Sequence, residues 1–224
     1  IDLNVVLFNN EMYGLTKGQY SPTSKLGKIT KTSPYGTVER PFNPGELVIG
    51  AHGTFFARSI DAEVNLTTEC MVAASKHDGL SVIEVLVNCM IFNNGTHKAF
   101  AGDKEVRAEH TITLRQGEKM LFGKNMDKGL MLDNMKLKVV TVGENGVTLD
   151  DILVHDAHEK DTMVHVMLAS MKYPDFPVAL GIIRDVAEPT YEREVARQIA
   201  EVQATAKIKN VDDLLNSGET WEVE

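Results

Sequence analysis

The chain has 224 residues, of which 32 are acidic and 23 basic, so its formal net charge is −9. That charge argues against binding to nucleic acid or to an anionic membrane. No apolar run approaches the roughly 20 residues of a membrane span. Hydrophobic residues make up 43% of the sequence, as in a globular protein built from one large domain or from a domain and an extension. Two cysteines do not make a disulfide framework in a chain of this length, which favours a reducing cytoplasm.

The chain begins with an apolar run, residues 3–8, whose Val and Leu content predicts a strand buried on both faces of a parallel sheet. The run ends at Asn9 and Asn10, and a loop with Gly14 and Gly18 follows. In open α/β sheets, ligands bind beyond the carboxyl ends of the strands. Glycines let backbone N–H groups approach an anion, and an Asn side-chain oxygen suits a Mg²⁺ ion that also holds phosphate. An ordinary turn is the alternative, since Asn and Gly are common turn residues.

The next hundred residues alternate between loops, helices and strands. Residues 21–44 are polar and rich in Pro and Gly, and beside a ligand crevice we expect a functional loop. Asn43 and Pro44 predict the start of a helix. The predicted elements are a helix to about Ala51, a strand at 54–58, a helix from Asp61 to about Lys76 and a strand at 81–87. This order implies right-handed crossovers and a parallel sheet, with Cys89 at the same edge as Asn10.

After about residue 95 the pattern changes to short apolar pieces between turns. Asn145–Gly146 predicts a β-hairpin. One of these apolar pieces is 137–142. The predicted elements that follow are a helix at 161–171, a strand at 178–183, a helix at about 190–207 and a short turn capped by Asn210. This part is expected to be an α+β extension that packs on the core or on a partner subunit.

Several residue types that often bind metals have plainer interpretations here. The histidines at 155, 158 and 165 lack a Cys or Glu that would complete a metal-binding set, so we expect surface and subunit-contact histidines. The methionines at 163, 167 and 171 recur every four residues and predict a core stripe. Cys70 lies inside a predicted helix, and we expect it to pack in the core.

The stretch from Phe8 to Thr23, with the Asn9–Asn10 pair and the run Tyr13-Gly14-Leu15-Thr16-Lys17-Gly18-Gln19, is long enough to be specific. It resembles the second half of the thiamine diphosphate motif of 2-oxoacid:ferredoxin oxidoreductase β subunits. The similarity continues through 40–44, 88–89 and 152–156. It implies an α/β fold with a parallel-sheet, pyrophosphate-type thiamine diphosphate-binding domain. Residues 1–95 would be the carboxyl-terminal part of that domain, and 96–224 the extension.

The resemblance also implies roles for the loop residues. Asn10 through its side chain and Met12 through its backbone carbonyl would bind Mg²⁺. The residues that contact thiamine diphosphate would be Asn10, Met12, Tyr13, Gly14, Leu15 and Thr16. Lys17 would pair with the distal carboxylate of a dicarboxylic substrate, which favours 2-oxoglutarate over pyruvate. The alternative for Lys17 is a solvated loop lysine.

Cys89 would be the fourth ligand of a [4Fe–4S] cluster, since thiolates are the usual ligands of such clusters. A buried free cysteine at a strand end is the alternative. In the family, the other cluster ligands and a Gly-Asp-Gly-Asp element with a Mg²⁺-binding Asp precede the Asn pair. We therefore expect the chain to be a fragment that lacks its amino-terminal part.

The expected function is the β-subunit portion of a 2-oxoglutarate:ferredoxin oxidoreductase, an enzyme of the citric acid cycle. The resemblance implies oxidative decarboxylation of a 2-oxoacid, with CoA accepting the acyl group and ferredoxin the electrons. The partner α subunit would supply the activating Glu, so no catalytic residue is assigned in this chain. One alternative is a non-oxidative thiamine diphosphate-dependent decarboxylase, which needs no cluster at Cys89. Another is a non-catalytic nucleotide-binding or assembly module.

Overall fold

A computed structural model of the chain describes residues 1–219 and Trp221. The backbone forms two compact units. One is Asp2–Ala187, and the other comprises Ile1 and the described residues from Glu188 onward. None of the described helices is long and apolar enough to cross a bilayer.

The larger unit contains eight strands and five α-helices in the order β1 (Leu3–Asn9), α1 (Pro44–Gly50), β2 (Phe55–Ile60), α2 (Val64–Ala74), β3 (Leu80–Leu86), α3 (Lys98–Ala101), α4 (Lys104–His110), β4 (Thr111–Leu114), β5 (Leu121–Phe122), β6 (Lys128–Asp133), β7 (Lys136–Thr141), α5 (Met163–Ser170) and β8 (Val178–Asp185). A short 3-10 helix covers Leu149–Asp151. The smaller unit contains α6 (Tyr191–Thr205) and α7 (Val211–Leu215). The predicted helices near 161–171 and 190–207 are confirmed, as is the Asn210 cap of α7.

The main sheet has five strands in the order β1-β3-β2-β8-β4. β1, β3 and β2 are parallel, which confirms the predicted α/β fold with a parallel sheet. β8 runs antiparallel to β2, and β4 pairs with β8, so the sheet as a whole is mixed. β5, β6 and β7 form a separate antiparallel sheet. The predicted segments 1–95 and 96–224 therefore both contribute strands to one sheet, and the boundary between them stays a prediction.

The prediction that the first strand is buried on both faces is wrong. β1 lies at the edge of the sheet, where it pairs with β3. Leu3, Val5, Leu7 and Phe8 are exposed, and Phe8 keeps 65% of its accessible surface. An apolar run shows that a strand suits burial, but it does not show whether the strand is central or lateral.

The start of α1 follows the prediction, and the start of α2 does not. The Asn43 side-chain oxygen accepts hydrogen bonds from the backbone N–H groups of Gly45 and Glu46. Asp61 does not cap α2, which begins at Val64 without a side-chain cap. Its carboxylate instead accepts from the Asn88 N–H at 2.8 Å, beyond the end of β3. Asp61 therefore accepts a hydrogen bond from the segment after β3 rather than from the first turn of α2.

The hydrophobic core lies on both faces of the main sheet. On one face, β-strand residues such as Phe56 and Ile183 pack with Leu168 of α5. On the other face, Phe55 and neighbouring strand residues pack with Cys70 of α2. Cys70 is 1% exposed, and burial raises the pKa of its thiol to about 11, so its predicted packing role is confirmed.

The hairpin prediction at Asn145–Gly146 is wrong. These residues have positive φ, but they form a turn after β7 that the Gly143 N–H to Val147 carbonyl bond closes. The β6–β7 hairpin turns at Asn134 and Met135, with φ of 47° and 64°. Two successive positive φ values fit the tight turn that such hairpins prefer, which Asn tolerates better than Met.

The histidine and methionine predictions need partial correction. His155 and His165 are each 1% exposed, so they are core rather than surface residues. Met171 is buried as predicted, but Met163 is 54% exposed and does not belong to a core stripe. Within the described part of the chain, no three His, Cys, Asp or Glu side chains are placed to hold a metal ion.

Hydrogen bonds explain how two histidines are accommodated inside the fold. His155 donates from Nε2 to the Ile182 carbonyl at 2.8 Å. His165 donates from Nε2 to the Asp156 carbonyl at 2.8 Å, and its Nδ1 accepts from Arg184 at 2.9 Å. An Nδ1 that accepts from a guanidinium has no proton, so His165 is neutral. Burial is the main cause that holds the pKa of both imidazoles below the ordinary value.

We predict that acid destabilises the protein through these two histidines. Both imidazoles stay neutral in the folded state. In the unfolded chain, the same histidines bind protons below the usual histidine pKa of about 6.5. The free energy of unfolding should therefore fall as the pH drops below about 6.5, by up to about 1.4 kcal/mol per pH unit for each histidine. Urea unfolding between pH 7.5 and 5.5 measures this slope. His155→Leu should flatten it, while His52→Asn at an exposed site should not; an unchanged slope in His155→Leu would contradict the prediction.

Candidate functional site

Two loops leave the same edge of the main sheet, as predicted. The β1 loop (residues 10–19) follows Asn9, and the β3 loop (residues 87–97) follows Leu86. Asn9 and Leu86 are neighbours in the parallel register of the two strands, so the loops start side by side. This arrangement brings Asn10 and Cys89 into one region.

The β1 loop is a compact hairpin with an open tip. The Tyr13 N–H donates to the Gln19 carbonyl at 2.8 Å, and the Gly18 N–H donates back to the Tyr13 carbonyl at 3.0 Å. Leu15 at the tip is 98% exposed. A Cβ added at Gly14 would meet no atom within 4 Å. The backbone around Gly14 is therefore accessible to a ligand.

Oxygen atoms at the base of this loop suit a hard cation. Asn10 is partly buried, and its side-chain oxygen accepts one hydrogen bond, from the Met12 N–H at 3.0 Å. An amide oxygen has two lone pairs, so one remains for a metal. No hydrogen bond to the Met12 carbonyl is found in the described part of the chain. This pair of oxygens fits the ligands that Mg²⁺ takes beside a phosphate.

A buried ion pair holds the residue just before Asn10. The Arg58 Nε donates to Glu84 at 2.7 Å, and the Asn9 side chain donates to the other oxygen of Glu84 at 2.7 Å. All three side chains are under 10% exposed. Thr23 donates to the Asn9 side-chain oxygen at 2.7 Å, which brings the long loop after residue 20 against the site.

The buried ion pair was not predicted from the sequence, although the sequence contains a pattern that indicates it. Arg58 and Glu84 are the charged residues of two largely apolar strands. Buried charges are kept in pairs, so such a coincidence in adjacent strands indicates an ion pair.

Cys89 lies in the β3 loop and is partly buried. The N–H of Phe92 is the main cause that lowers the pKa of its thiol; those of Ile91 and Asn93 lower it further, and partial burial opposes them. A thiol among several N–H groups is stabilised as the thiolate, the form that binds metals. The geometry fits one thiolate ligand of a cluster, and Cys89 is the sole candidate for that role among the described residues.

Lys17 extends from the β1 loop beside an open cavity of about 630 Å³. Its backbone φ is 67°, a left-handed conformation that places it at the turn of the loop. In the part of the chain that is described, no acidic group pairs with its ammonium group. The same cavity borders Lys31, Met12 and Phe92, so it lies between the β1 and β3 loops.

Comparison with known proteins first indicates the class of fold to which the chain is similar. Residues 1–85 match the family model described as "Thiamine pyrophosphate enzyme, C-terminal TPP binding domain". The chain also superposes on a solved 2-oxoglutarate:ferredoxin oxidoreductase from Magnetococcus marinus with 2-oxoglutarate, coenzyme A and succinyl-CoA bound. The TM-score is 0.65 at 20% identity, over 98% of this chain and 59% of that one, which shows a shared fold. The sheet and its loops thus form a thiamine diphosphate-enzyme fold.

Proteins with similar sequences indicate which thiamine diphosphate enzymes the chain resembles. The chain is 37% identical, over its whole length and 60% of the relative, to 2-oxoglutarate oxidoreductase subunit KorB of Mycobacterium tuberculosis. It is 44% identical over 89 residues to 2-oxoglutarate synthase subunit KorB of Archaeoglobus fulgidus, which is 40% of this chain and 33% of that one. It is also 44% identical to the 2-oxoacid:ferredoxin oxidoreductase β subunit of Saccharolobus solfataricus over 94 residues, which cover 42% of this chain and 31% of that one.

The chain is therefore similar, over its whole length, to a subunit of a 2-oxoglutarate oxidoreductase, which confirms the resemblance recognised in the sequence. It spans about 60% of the M. tuberculosis relative and a third of the archaeal ones.

We predict that the Glu84 carboxylate is needed to hold this site together. Glu84→Leu leaves the Arg58 Nε and the Asn9 side-chain nitrogen buried without their acceptor. Breaking one side of a buried ion pair costs about 3–5 kcal/mol, and urea unfolding measures the loss. Replacing both charges, in Arg58→Met with Glu84→Leu, should recover most of it. A Glu84→Leu protein as stable as the wild type would contradict the prediction.

Proposed function

We propose that this chain is the part of a 2-oxoglutarate:ferredoxin oxidoreductase β subunit that holds thiamine diphosphate and one ligand of an iron–sulfur cluster. The observation that carries the proposal is the contact between the β1 loop, with its free oxygen ligands, and the β3 loop, with a thiolate-stabilising cysteine. A non-oxidative decarboxylase needs no cluster and therefore no cysteine ligand in the β3 loop. The names of the sequence relatives support the choice of 2-oxoglutarate.

The β1 loop would hold the cofactor through its Mg²⁺ ion and its diphosphate. Asn10 would bind the ion through its side-chain oxygen, and Met12 through its backbone carbonyl. The accessible backbone from Tyr13 to Thr16 would contact the diphosphate, where Gly14 leaves room for close approach. The metal ligand that the family supplies from its Gly-Asp-Gly-Asp element is not found in these 224 residues.

The chemistry is divided between the cofactor and the protein. Thiamine diphosphate, when bound, supplies a carbon nucleophile and accepts the electron pair that remains after CO₂ leaves the 2-oxoacid. In the overall reaction, CoA takes the acyl group and two electrons leave, one at a time, to ferredoxin. This chain fixes the metal and the diphosphate through the β1 loop and brings Cys89 close to them. A partner α subunit, CoA, the 2-oxoacid and ferredoxin are the proposed partners. A cytoplasmic location is also proposed, and it is supported by the two free cysteines.

Cys89 is proposed to be one ligand of a [4Fe–4S] cluster. The N–H groups of residues 91–93 would stabilise its thiolate and donate toward cluster sulfurs, a device that tunes cluster potentials. The remaining ligands would come from outside this chain, so the 224 residues alone should hold no stable cluster.

We predict that Cys89→Ser, in the full-length protein assembled with its partner subunit, lowers the iron content and bleaches the broad visible absorbance. Asn10→Leu is the matched variant, because it removes the proposed metal ligand and leaves the cysteine intact. It should retain iron and colour but bind thiamine diphosphate with Mg²⁺ at least about tenfold more weakly. Iron analysis, absorbance and cofactor titration separate the two effects. Unchanged iron and colour in Cys89→Ser would mean that Cys89 is a packing residue and not a cluster ligand.

Lys17 is proposed to bind the distal carboxylate of 2-oxoglutarate. Lys17 borders the cavity between the two loops, and in the sequence it follows the proposed diphosphate contacts. A charge-assisted contact of this kind contributes about 1.5–3 kcal/mol, a roughly ten- to hundredfold effect.

We predict that Lys17→Met lowers kcat/KM for 2-oxoglutarate about ten- to hundredfold while sparing 2-oxobutyrate, which lacks the distal carboxylate. Met keeps the length of the side chain and deletes its charge. Lys31→Met, which removes the other lysine bordering the cavity, should leave the ratio of the two substrates close to that of the wild type. An equal loss for both substrates in Lys17→Met would mean that Lys17 shapes the loop or holds the diphosphate.

A further inference from the structure

The segment that follows the β1 loop folds into an ordered, hairpin-like arm, which we call the basic arm (residues 21–42). At its base, the Phe42 N–H donates to the Pro22 carbonyl at 2.8 Å. Further along, the Gly27 N–H donates to the Thr37 carbonyl at 2.8 Å. A surface that is ordered in this way has less conformational entropy to lose when a partner binds.

The tip of the basic arm lies beside the β3 loop. Lys31 occupies a turn that Thr30 and Ser33 close with two backbone hydrogen bonds of 3.2 and 3.1 Å. The tip borders the open cavity of about 630 Å³, and Ile91 and Phe92 of the β3 loop border the same cavity. The arm and the β3 loop therefore form one accessible surface.

This surface includes the turn that carries the proposed cluster ligand. The Asn93 N–H donates to the Cys89 carbonyl at 3.1 Å, which closes the turn, and the Lys28 ammonium group donates to the Asn93 side-chain oxygen. The turn is also fastened to the β1 strand and loop. Asn93 Nδ2 donates to the Asn10 carbonyl at 2.8 Å, and His97 Nε2 donates to the last carbonyl of β1 at 3.0 Å. These bonds hold the arm next to Cys89.

The basic arm is positively charged, although the whole chain has a net charge of −9. The arm contains four basic residues and one acidic residue, and the β3 loop contains no acidic residue. Lys31 is exposed, and within the described part of the chain its ammonium group pairs with no carboxylate. Its charge is therefore available to an external partner.

Apolar side chains lie among these charges. Tyr35 and Val38 on the arm are almost fully exposed, and Ile91 on the β3 loop is also exposed. Exposed aromatic and aliphatic side chains surrounded by polar groups are typical of surfaces that bind another protein. A small anion would make no use of them, so the surface fits a folded protein.

The charge distribution favours an acidic protein as the partner. The negative charge of the remaining surface repels such a protein, and the arm attracts it, so encounters are steered to the face beside Cys89. A nucleic acid is also acidic, but it would extend from the arm onto negatively charged surface. The proposed function requires an electron carrier to come close to Cys89, and the arm is the positive surface at that place.

We propose that the basic arm is the docking surface for a small acidic electron-carrier protein, which it holds next to the cluster ligated by Cys89. The inference rests on the proposed function and adds to it the place where the electron acceptor binds. In the transfer step, the reduced cluster loses one electron and the oxidised carrier gains it, and no covalent bond forms or breaks. Because exposed charges act mainly on the rate of encounter, Lys31 should govern association of the carrier rather than decarboxylation.

The test measures kcat/KM for the electron acceptor in the full-length protein with its partner subunit, at saturating 2-oxoglutarate and CoA. The acidic probe is a purified bacterial ferredoxin with two [4Fe–4S] clusters, and the uncharged probe is menadione, a quinone too small to need a docking surface. Lys31→Glu should lower kcat/KM for ferredoxin about three- to tenfold, and Lys31→Met should lower it less, because it removes the charge without reversing it. Both variants should reduce menadione at the wild-type rate. Added salt should slow ferredoxin reduction more in the wild type than in Lys31→Glu.

A control variant and the iron content make the result specific. Lys136→Glu makes the same change of charge at an exposed position of β7, in the second sheet, and should keep the wild-type kcat/KM for ferredoxin. Lys31→Met serves alone if Lys31→Glu does not retain iron. Wild-type ferredoxin kinetics in a Lys31 variant that retains iron overturn the inference and leave the proposed function standing. Loss of the partner subunit from Lys31→Glu also overturns it, since the arm would then face that subunit. A wild type that does not reduce ferredoxin contradicts the proposed function, and the inference fails with it.

Discussion

The site depends on one buried charge network in the middle of the parallel strands. Arg58 on β2 and Glu84 on β3 are both within the sheet, and Asn9 at the end of β1 shares the same carboxylate. Isolated, either charge would be costly to bury, so the two strands must stay in register for the pair to form. This register fixes Asn9, and Asn9 fixes the start of the β1 loop. The start of the β1 loop is therefore positioned by an ion pair that lies inside the sheet.

The β1 and β3 loops leave the parallel strands side by side at one edge of the sheet. Each loop is internally compact, and each presents different chemistry: oxygen ligands on one, a thiolate-stabilising turn on the other. Side chains of the second loop donate to backbone carbonyls and a carboxylate of the first. Because these bonds reach the base of the β1 loop, its tip stays open while the relative position of the two loops is fixed.

The sequence was informative where a local pattern has one structural meaning. The Asn43–Pro44 helix start, the crossovers of β1, β2 and β3 and the shared edge of Asn10 and Cys89 could all be predicted, because caps and strand–helix alternation act over short distances. The edge position of β1, the antiparallel insertion of β8 and the cross-sheet bond of Asp61 could not. They depend on which distant segments meet, as does the burial of His155 and His165. At the site, the β1 loop was recognised as a motif, but Asn9, Glu84, Asn93 and His97 gain their roles only through tertiary contacts.

The edge position of β1 has a consequence for how this chain behaves on its own. Four of its apolar side chains are accessible, and the run Leu3–Asn9 contains no proline, lysine or other residue that blunts an edge strand. Its unpaired N–H and carbonyl groups can serve as a template for another extended segment. Prepared in isolation, the 224-residue chain would tend to associate edge to edge and aggregate. A successful preparation would supply a strand for this edge in the same polypeptide or in a co-expressed one.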